Sequence, residues 1–91
     1  MVSEKVIIRN QKGLHLKPAG YLCQEALLYE SLITMKTGNK EVNAKSGLGV
    51  LSACIKHNQE VEIICNGSDE NDALQHMIGV IKKGLGEDIT E

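Results

Sequence analysis

A histidine, a lysine and the chain's single proline lie close together near the N-terminus. The stretch GLHLKPAG places Lys17 two residues after His15 and Pro18 three residues after it. A neutral imidazole offers a nitrogen lone pair near neutral pH, so the ring is a candidate nucleophile. A phosphoryl group on His15 would lie close to the ammonium of Lys17, which would stabilise its charge. On spacing alone, an ordinary loop histidine beside a solvated lysine is the commoner arrangement.

A helix that follows this stretch would place unpaired backbone N–H groups next to the imidazole. Proline is tolerated in a first helical turn and helps to define where the helix starts, so Pro18 predicts a start two or three residues past His15. The free N–H groups and the positive end of the helix dipole favour an anion there. The apolar residues at helical spacing that predict its buried face are Ala19, Leu22, Cys23, Ala26 and Leu27.

Four segments of the sequence have the pattern of β-strands. A β-branched run over 2–8 ends at the loop 10–13, which carries the chain towards His15. Residues 31–37 and 40–44 flank Gly38 and Asn39, a pair that tolerates positive φ and predicts a β-hairpin. Residues 60–65 alternate apolar and polar positions and predict a fourth strand.

Two further segments are predicted to be helical. After Ser46, residues 47–55 place Leu48, Leu51 and Ile55 at helical spacing and predict a short helix. Ser68 or Asp69 is expected to cap a final helix. The residues predicted to form its buried stripe are Leu74, Met77, Ile78, Ile81 and Leu85.

The element order is therefore β-α-β-β-α-β-α, in one domain over residues 1–91. An antiparallel sheet of this size buries one face under its helices and leaves the other open. The predicted fold class is α+β, an open-faced β-sandwich of a four-stranded antiparallel sheet with three helices on one face.

Composition excludes several classes of function. The ten Lys and Arg residues are scattered through a chain of net charge −2, and aromatic residues make up 2% of it, so no nucleic-acid partner is expected. No apolar stretch has the length of a membrane span, and the N-terminus lacks the pattern of a secretory signal. We therefore expect no membrane association and a cytoplasmic location.

The three cysteines are odd in number and widely spaced, as are the three histidines. This spacing favours neither a disulfide framework nor a metal site. Cys23, Cys54 and Cys65 are each expected to be small buried apolar residues. Neither a metal ion nor an organic cofactor is expected.

Three segments together resemble one family. GLHLKPAG strongly resembles the active-site signature of HPr, the histidine-containing phosphocarrier protein of the bacterial sugar phosphotransferase system, usually written G-[LI]-H-A-R-P-A. NAKSGLGVLS at 43–52 is similar to the family's regulatory-serine segment, and NGSDENDAL at 66–74 to its last strand–helix junction. The predicted element order is that of the family fold, so the resemblance covers residues 2–86. It implies a phosphoryl carrier and not a conventional enzyme.

The resemblance also implies a role for the residues of each motif. His15 would accept a phosphoryl group at Nδ1 from the phosphohistidine of enzyme I, with phosphoenolpyruvate as the source, and pass it to a sugar-specific enzyme IIA. Lys17 would stabilise the phosphate, with Leu16 and Pro18 at the helix start. Ser46 matches the serine that an ATP-dependent HPr kinase/phosphorylase modifies to give a co-repressor. A plain N-cap serine explains Ser46 equally well without the resemblance.

Partner docking is expected around the starts of the first two helices. Leu48 and Leu51 would be apolar anchors, Lys45 would join Lys17 in a charged rim, and Gly47 and Gly20 would lie on the same surface. The chain departs from the family pattern at four positions of this region: Leu16 for alanine, Lys17 for arginine, Gly20 for a hydroxyl-bearing or small residue, and Gly47 for a large aliphatic residue. These departures indicate a divergent member, expected to be a monomer.

Three functions follow from these observations. The first is a phosphocarrier that acts between enzyme I and an enzyme IIA and is regulated through Ser46. The alternative is a regulatory binding module, in which phosphorylated Ser46 recruits a transcriptional regulator and histidine transfer is weak or absent. The third is a purely structural domain that neither phosphoryl donor would label.

Overall fold

The computed structural model describes residues 1–89, and residues 90 and 91 of the predicted domain lie outside the described residues. The elements along the chain are β1 (Val2–Ile7), α1 (Leu16–Ala26), β2 (Leu32–Thr37), β3 (Lys40–Asn43), α2 (Gly47–Ser52), β4 (Glu60–Asn66) and α3 (Glu70–Lys82). The predicted fold class, the element order and the hairpin at Gly38 and Asn39 are confirmed.

The four strands form one antiparallel sheet in the order β1-β4-β2-β3. On β4, Val61, Ile63 and Cys65 alternate with exposed or half-buried positions and belong to the core beneath the helices. This alternation is the period of a strand that has one face buried.

The open face of the sheet carries a row of alternating charges. Lys5 on β1 pairs with Glu62 on β4, Glu62 pairs with Lys36 on β2, and Lys36 pairs with Glu41 on β3. Opposite charges on directly facing residues favour the observed register over a slipped one. The open face therefore contributes to the specificity of the fold although it buries little apolar surface.

Helix α1 buries Pro18, Ala19, Leu22 and Ala26 against the core, which is most of the predicted stripe. The prediction was wrong at Leu27, whose side chain is 59% exposed. The helix ends at Ala26, so Leu27 is its C-cap and the helical periodicity no longer applies there.

Helix α3 begins after Asp69, but the predicted capping hydrogen bond is wrong, because neither the Asp69 nor the Ser68 side chain caps the helix. The Asp69 carboxylate instead accepts hydrogen bonds from the backbone N–H groups of Glu30 and Ser31 and from the Ser31 hydroxyl. These bonds, that of the Ser31 hydroxyl above all, lower the pKa of Asp69. Asp69 therefore ties the segment before β2 to the start of α3.

The buried face of α3 contains Ala73, Met77, Ile78 and Ile81. Leu74 of the predicted stripe is only partly buried, and Leu85 is buried although it follows the end of the helix. Ile55 is likewise buried beyond the end of α2.

The expectation of three buried cysteines holds for Cys65 alone. Cys23 is half-buried, and its thiol donates a hydrogen bond to the Lys45 carbonyl oxygen at 3.0 Å. Cys54 is exposed and has a φ of 53°, because it lies in the turn that follows α2.

Gly13 permits the loop that leads to the predicted site to lie against the segment after α2. Its φ is 66°, and a Cβ at this position would lie 2.1 Å from the Ile55 carbonyl oxygen. The next residue, Leu14, donates its N–H to that same oxygen at 2.9 Å. Only glycine fits both the backbone conformation and the close approach.

A pair of glycine substitutions tests this constraint. Gly13→Ala is expected to lower the free energy of unfolding by roughly 2 kcal/mol or more, through strain and the backbone clash. Gly79→Ala, in the middle of α3 with nothing within 4 Å of the added Cβ, should raise it by about 0.5–1 kcal/mol. Urea unfolding of both variants measures the difference, and equal stabilities would contradict this account of the loop.

Candidate functional site

His15 is the N-cap residue of α1, with φ −76° and ψ −167°. The helix begins at Leu16, directly after the histidine, so the predicted start at Pro18 was two residues late. The first hydrogen bond of the helix is donated by the Ala19 N–H to the His15 carbonyl oxygen, at 3.0 Å. The N–H groups of Leu16 and Lys17 therefore have no intrahelical acceptor, and Pro18 has no N–H at all.

The imidazole of His15 contacts a carboxylate from the other end of the chain. Its Nε2 lies 2.9 Å from Oε2 of Glu87. The other carboxylate oxygen, Oε1, accepts a hydrogen bond from Nδ2 of Asn10 at 2.8 Å. Asn10 is completely buried, and its Nδ2 also donates to the Gly84 carbonyl oxygen at 2.9 Å. We call this arrangement the Asn10–Glu87–His15 chain.

The carboxylate determines which nitrogen of the neutral ring carries the proton. An ionised carboxylate only accepts hydrogen bonds, so Nε2 must be the donor towards Glu87. A neutral imidazole has one protonated nitrogen, and its lone pair then lies on Nδ1. The side chain of His15 is 37% exposed, so the ring is accessible from outside.

Glu87 remains ionised because its surroundings favour the charged form. The hydrogen bond from Asn10 is the main cause that lowers the pKa of Glu87 below its usual value of 4.5, with further contributions from the hydrogen bond and charge of His15 and from the charge of Lys17. Burial acts in the opposite direction and is outweighed. Lys17 therefore lies close enough to add positive potential at this site.

An open groove of about 300 Å³ adjoins the imidazole. The residues that line it are Gln11, Lys12, His15, Lys17, Gly86, Glu87 and Asp88. Two lysines and two carboxylates thus surround the imidazole, and Lys12 and Lys17 are the groups that could pair with an anion bound to the ring.

The predicted regulatory serine lies at the start of the next helix. Ser46 is half-buried and is the N-cap of α2, where its Oγ accepts a hydrogen bond from the Gly49 N–H at 3.0 Å. This is the capping role that the sequence also allowed. Its modification remains a prediction.

The predicted docking residues differ in exposure. Leu48 is 82% exposed and Leu16 is 74% exposed, whereas Leu51 packs partly against the core. A Cβ at Gly20 or Gly47 would meet open space, so neither glycine is required by packing.

Lys45 was predicted to join a charged rim, but its ammonium is already engaged. Its Nζ donates a hydrogen bond to the Tyr29 carbonyl oxygen at 2.6 Å, and the residue is half-buried. An ammonium has three N–H groups, so this contact orients the Lys45 side chain without using all of its donors.

Sequence reasoning missed Asn10 and Glu87. The only signal was the pair of glycines at 84 and 86, which indicates a turn after α3. In the structure Gly84, Leu85 and Gly86 all have positive φ, at 101°, 50° and 83°. The turn brings Glu87 back to a residue 72 positions earlier, and no local pattern predicts such a contact.

The described residues do not indicate a metal site or a membrane span. Within residues 1–89, no three or more His, Cys, Asp and Glu side chains are grouped so as to hold a metal ion. None of the helices in this part of the chain combines the length and apolar character needed to cross a bilayer.

Fold and site together define an open-faced α+β domain that presents a histidine at the N-terminus of its first helix. A family model described as the PTS HPr component phosphorylation site matches residues 2–83. The chain belongs to the HPr family of the bacterial phosphotransferase system, as its motifs had indicated.

Similar proteins include HPr itself and the HPr-like protein Crh. The HPr-like protein Crh of Bacillus subtilis is 35% identical over 83 residues, which are 91% of this chain and 98% of Crh. The crystal structure of HPr-C-His from Thermoanaerobacter tengcongensis superposes with a TM-score of 0.92 at 33% identity, over 97% of this chain and 99% of that one. A Bacillus subtilis Crh crystal structure, described as a dimer with a swapped domain, has a TM-score of 0.74 at 33% identity, over 96% and 100%.

Glu87 makes the site sensitive to acid. Because the pKa of Glu87 is lowered in the folded protein, its ionised form stabilises the fold above about pH 4.5, and this contribution is lost as the pH falls below that value. Wild type should exceed Glu87→Gln in stability by about 1 kcal/mol or less near pH 7, and this advantage should shrink as the pH falls below about 4.5.

Urea unfolding at several pH values measures this difference. Glu4→Gln, which removes an exposed carboxylate from β1, is the control for the loss of one charge. A wild-type advantage that is constant from pH 7 to pH 3 would contradict the assignment.

Proposed function

We propose that this protein is a cytoplasmic phosphocarrier. Nδ1 of His15 accepts a phosphoryl group from phospho-enzyme I and passes it to a sugar-specific enzyme IIA. The observation that carries the proposal is a half-exposed imidazole at the start of α1, whose Nε2 is held by Glu87 so that the lone pair lies on Nδ1. Membership of the HPr family supports the same chemistry.

The surroundings of the ring favour the phosphorylated form. The N–H groups of Leu16 and Lys17 have no intrahelical acceptor and lie at the positive end of the α1 dipole. The Lys17 ammonium adds a mobile positive charge. Lysine lacks the planar, bidentate fork of the family's arginine, so its support of the phosphate is less directional.

Partners are proposed to dock on the surface around the starts of α1 and α2. Leu48 and Leu16 supply exposed apolar anchors, and Leu51 supplies a partly buried one. Gly47 and Gly20 leave this surface without side chains at two points. Lys17 provides the charged rim, and Lys45 joins it through the ammonium N–H groups that do not bond to the Tyr29 carbonyl oxygen.

A regulatory role is the second candidate, favoured by the similarity to Crh. In that role the ATP-dependent kinase phosphorylates Ser46, and the modified chain binds a transcriptional regulator. Crh is described as a dimer with a swapped domain, so the relatives do not all support the monomer that we expected for this chain.

Phosphoryl labelling tests the carrier function. Incubation with phosphoenolpyruvate and enzyme I is expected to add one acid-labile phosphoryl group to the wild type and none to His15→Ala. His57→Ala, which removes another exposed histidine, is the control and should label like the wild type. Equal labelling of His15→Ala would show that another residue is the acceptor.

A second donor separates the two candidate functions. ATP and the HPr kinase/phosphorylase should give an acid-stable label that Ser46→Ala abolishes. Label from this donor alone favours the regulatory role, and label from enzyme I alone favours the unregulated carrier. Absence of both labels would contradict both functions.

The docking surface is tested by a charge placed at its most exposed apolar residue. Leu48→Asp is expected to weaken enzyme I binding about tenfold or more, because it desolvates a carboxylate against an apolar contact. Leu28→Asp, on an equally apolar and 66% exposed position after α1, is the matched control. Calorimetric titration measures both affinities, and an equal effect of the two variants would place docking elsewhere.

A further inference from the structure

We propose that Glu87 is a positioning residue that fixes the tautomer of His15 for phosphoryl transfer, and that Asn10 fixes Glu87. This inference rests on the proposed function and adds the residues that prepare the nucleophile. The family model matches residues 2–83, so Glu87 lies outside the matched segment.

The segment that carries Glu87 is held in place at several points. Leu85 is completely buried in the core, and its N–H donates to the Val80 carbonyl oxygen at 3.0 Å. Gly86 lies against the side chain of Tyr21, where a Cβ would come within 2.9 Å of a ring carbon. The Glu87 N–H donates to the Gly84 carbonyl oxygen at 2.9 Å. The position of the carboxylate thus follows from a packed turn.

The orientation of the Asn10 amide is also determined. Its Nδ2 faces two acceptors, the Gly84 carbonyl oxygen and Oε1 of Glu87, so the nitrogen and not the oxygen must point towards them. Its Oδ1 is buried and has no hydrogen-bond partner among the described residues. A flipped amide would set oxygen against oxygen at both contacts, so Asn10 can only donate to residue 87.

The role of the carboxylate follows from the electron balance of transfer. The Nδ1 lone pair forms a bond to phosphorus, and the bond between phosphorus and the nitrogen of the donor phosphohistidine breaks, with its electron pair returning to the donor ring. Nε2 keeps its proton throughout, so the His15 ring acquires a positive charge. Glu87 stabilises that charge at a distance of 2.9 Å and releases no proton. Transfer to the next acceptor reverses the same steps.

The hydrogen bonds around residue 87 predict how Glu87→Gln changes the tautomer of His15. Because Asn10 only donates, the amide oxygen of the substituted side chain must face Asn10 and its NH₂ group must face His15. That NH₂ group donates to Nε2, so the proton moves to Nδ1 and the lone pair leaves the transferring nitrogen. Glu87→Ala leaves Nε2 with water and imposes neither tautomer.

The first measurement reads the tautomer in the unphosphorylated protein, by long-range ¹H–¹⁵N correlation spectra at pH 8. Wild type should have its proton on Nε2, Glu87→Gln on Nδ1, and Glu87→Ala a mixture. Glu25→Gln is the matched control, because Glu25 contacts Nε2 of His76 at the same 2.9 Å with similar exposure. It should leave His15 unchanged. A Glu87→Gln protein that keeps the proton on Nε2 overturns the proposal.

The second measurement is the rate of phosphorylation by enzyme I. Glu87→Gln is expected to be slower than wild type by about 100-fold and slower than Glu87→Ala by about tenfold. A purely structural role would make alanine the more damaging change, so the order of the variants decides between the two. A reversed tautomer with an unchanged rate also overturns the proposal.

The two measurements separate this proposal from the proposed function. If enzyme I does not label the wild type, the carrier function fails, while the spectra still report whether Glu87 sets the tautomer. If the wild type is labelled and Glu87→Gln keeps its rate, the carrier function stands and the positioning role fails.

Discussion

The antiparallel pairing of β1 with β4 is the constraint on which the site depends. It runs from Val2 opposite Cys65 to Ile7 opposite Glu60, and hydrogen bonds from Ile8 and Asn58 continue it beyond the strands. The loop after β1 is thereby held against the segment after α2, and α3 packs across β1 and β4. The loop after β1, which contains Asn10, and the turn after α3, which contains Glu87, consequently meet where α1 begins.

The groups that surround His15 at the start of α1 then determine the chemistry available to its ring. The first turn of α1 supplies donors without acceptors. The turn after α3 supplies a carboxylate that stays ionised because the hydrogen bond from Asn10 and the charge of Lys17 favour its charged form. An imidazole between these groups is held with one nitrogen protonated and the other free. The reactivity proposed for this ring depends on orientation and charge, without a deep pocket.

The elements and the position of His15 at a helix start could be predicted because their signals are local. Alternation in β4, the Gly38 and Asn39 turn and the apolar spacing of α1 each depend on neighbours within a few residues. Asn10 and Glu87 could not be predicted, since their contacts depend on three successive positive φ angles that reverse the chain. The end of α1 at Ala26 and the turn at Cys54 were misjudged for a related reason, because apolar residues outside a helix need not face the core.

The row formed by Lys5, Glu62, Lys36 and Glu41 bears on how partners approach the molecule. Because positive and negative charges alternate along it at strand spacing, their fields largely cancel within a Debye length of the open face. The open face of the sheet therefore exerts little long-range electrostatic force on an approaching protein. Long-range steering of a charged partner would therefore depend on charges away from this face, among them Lys12, Lys17, Glu87 and Asp88 around the imidazole.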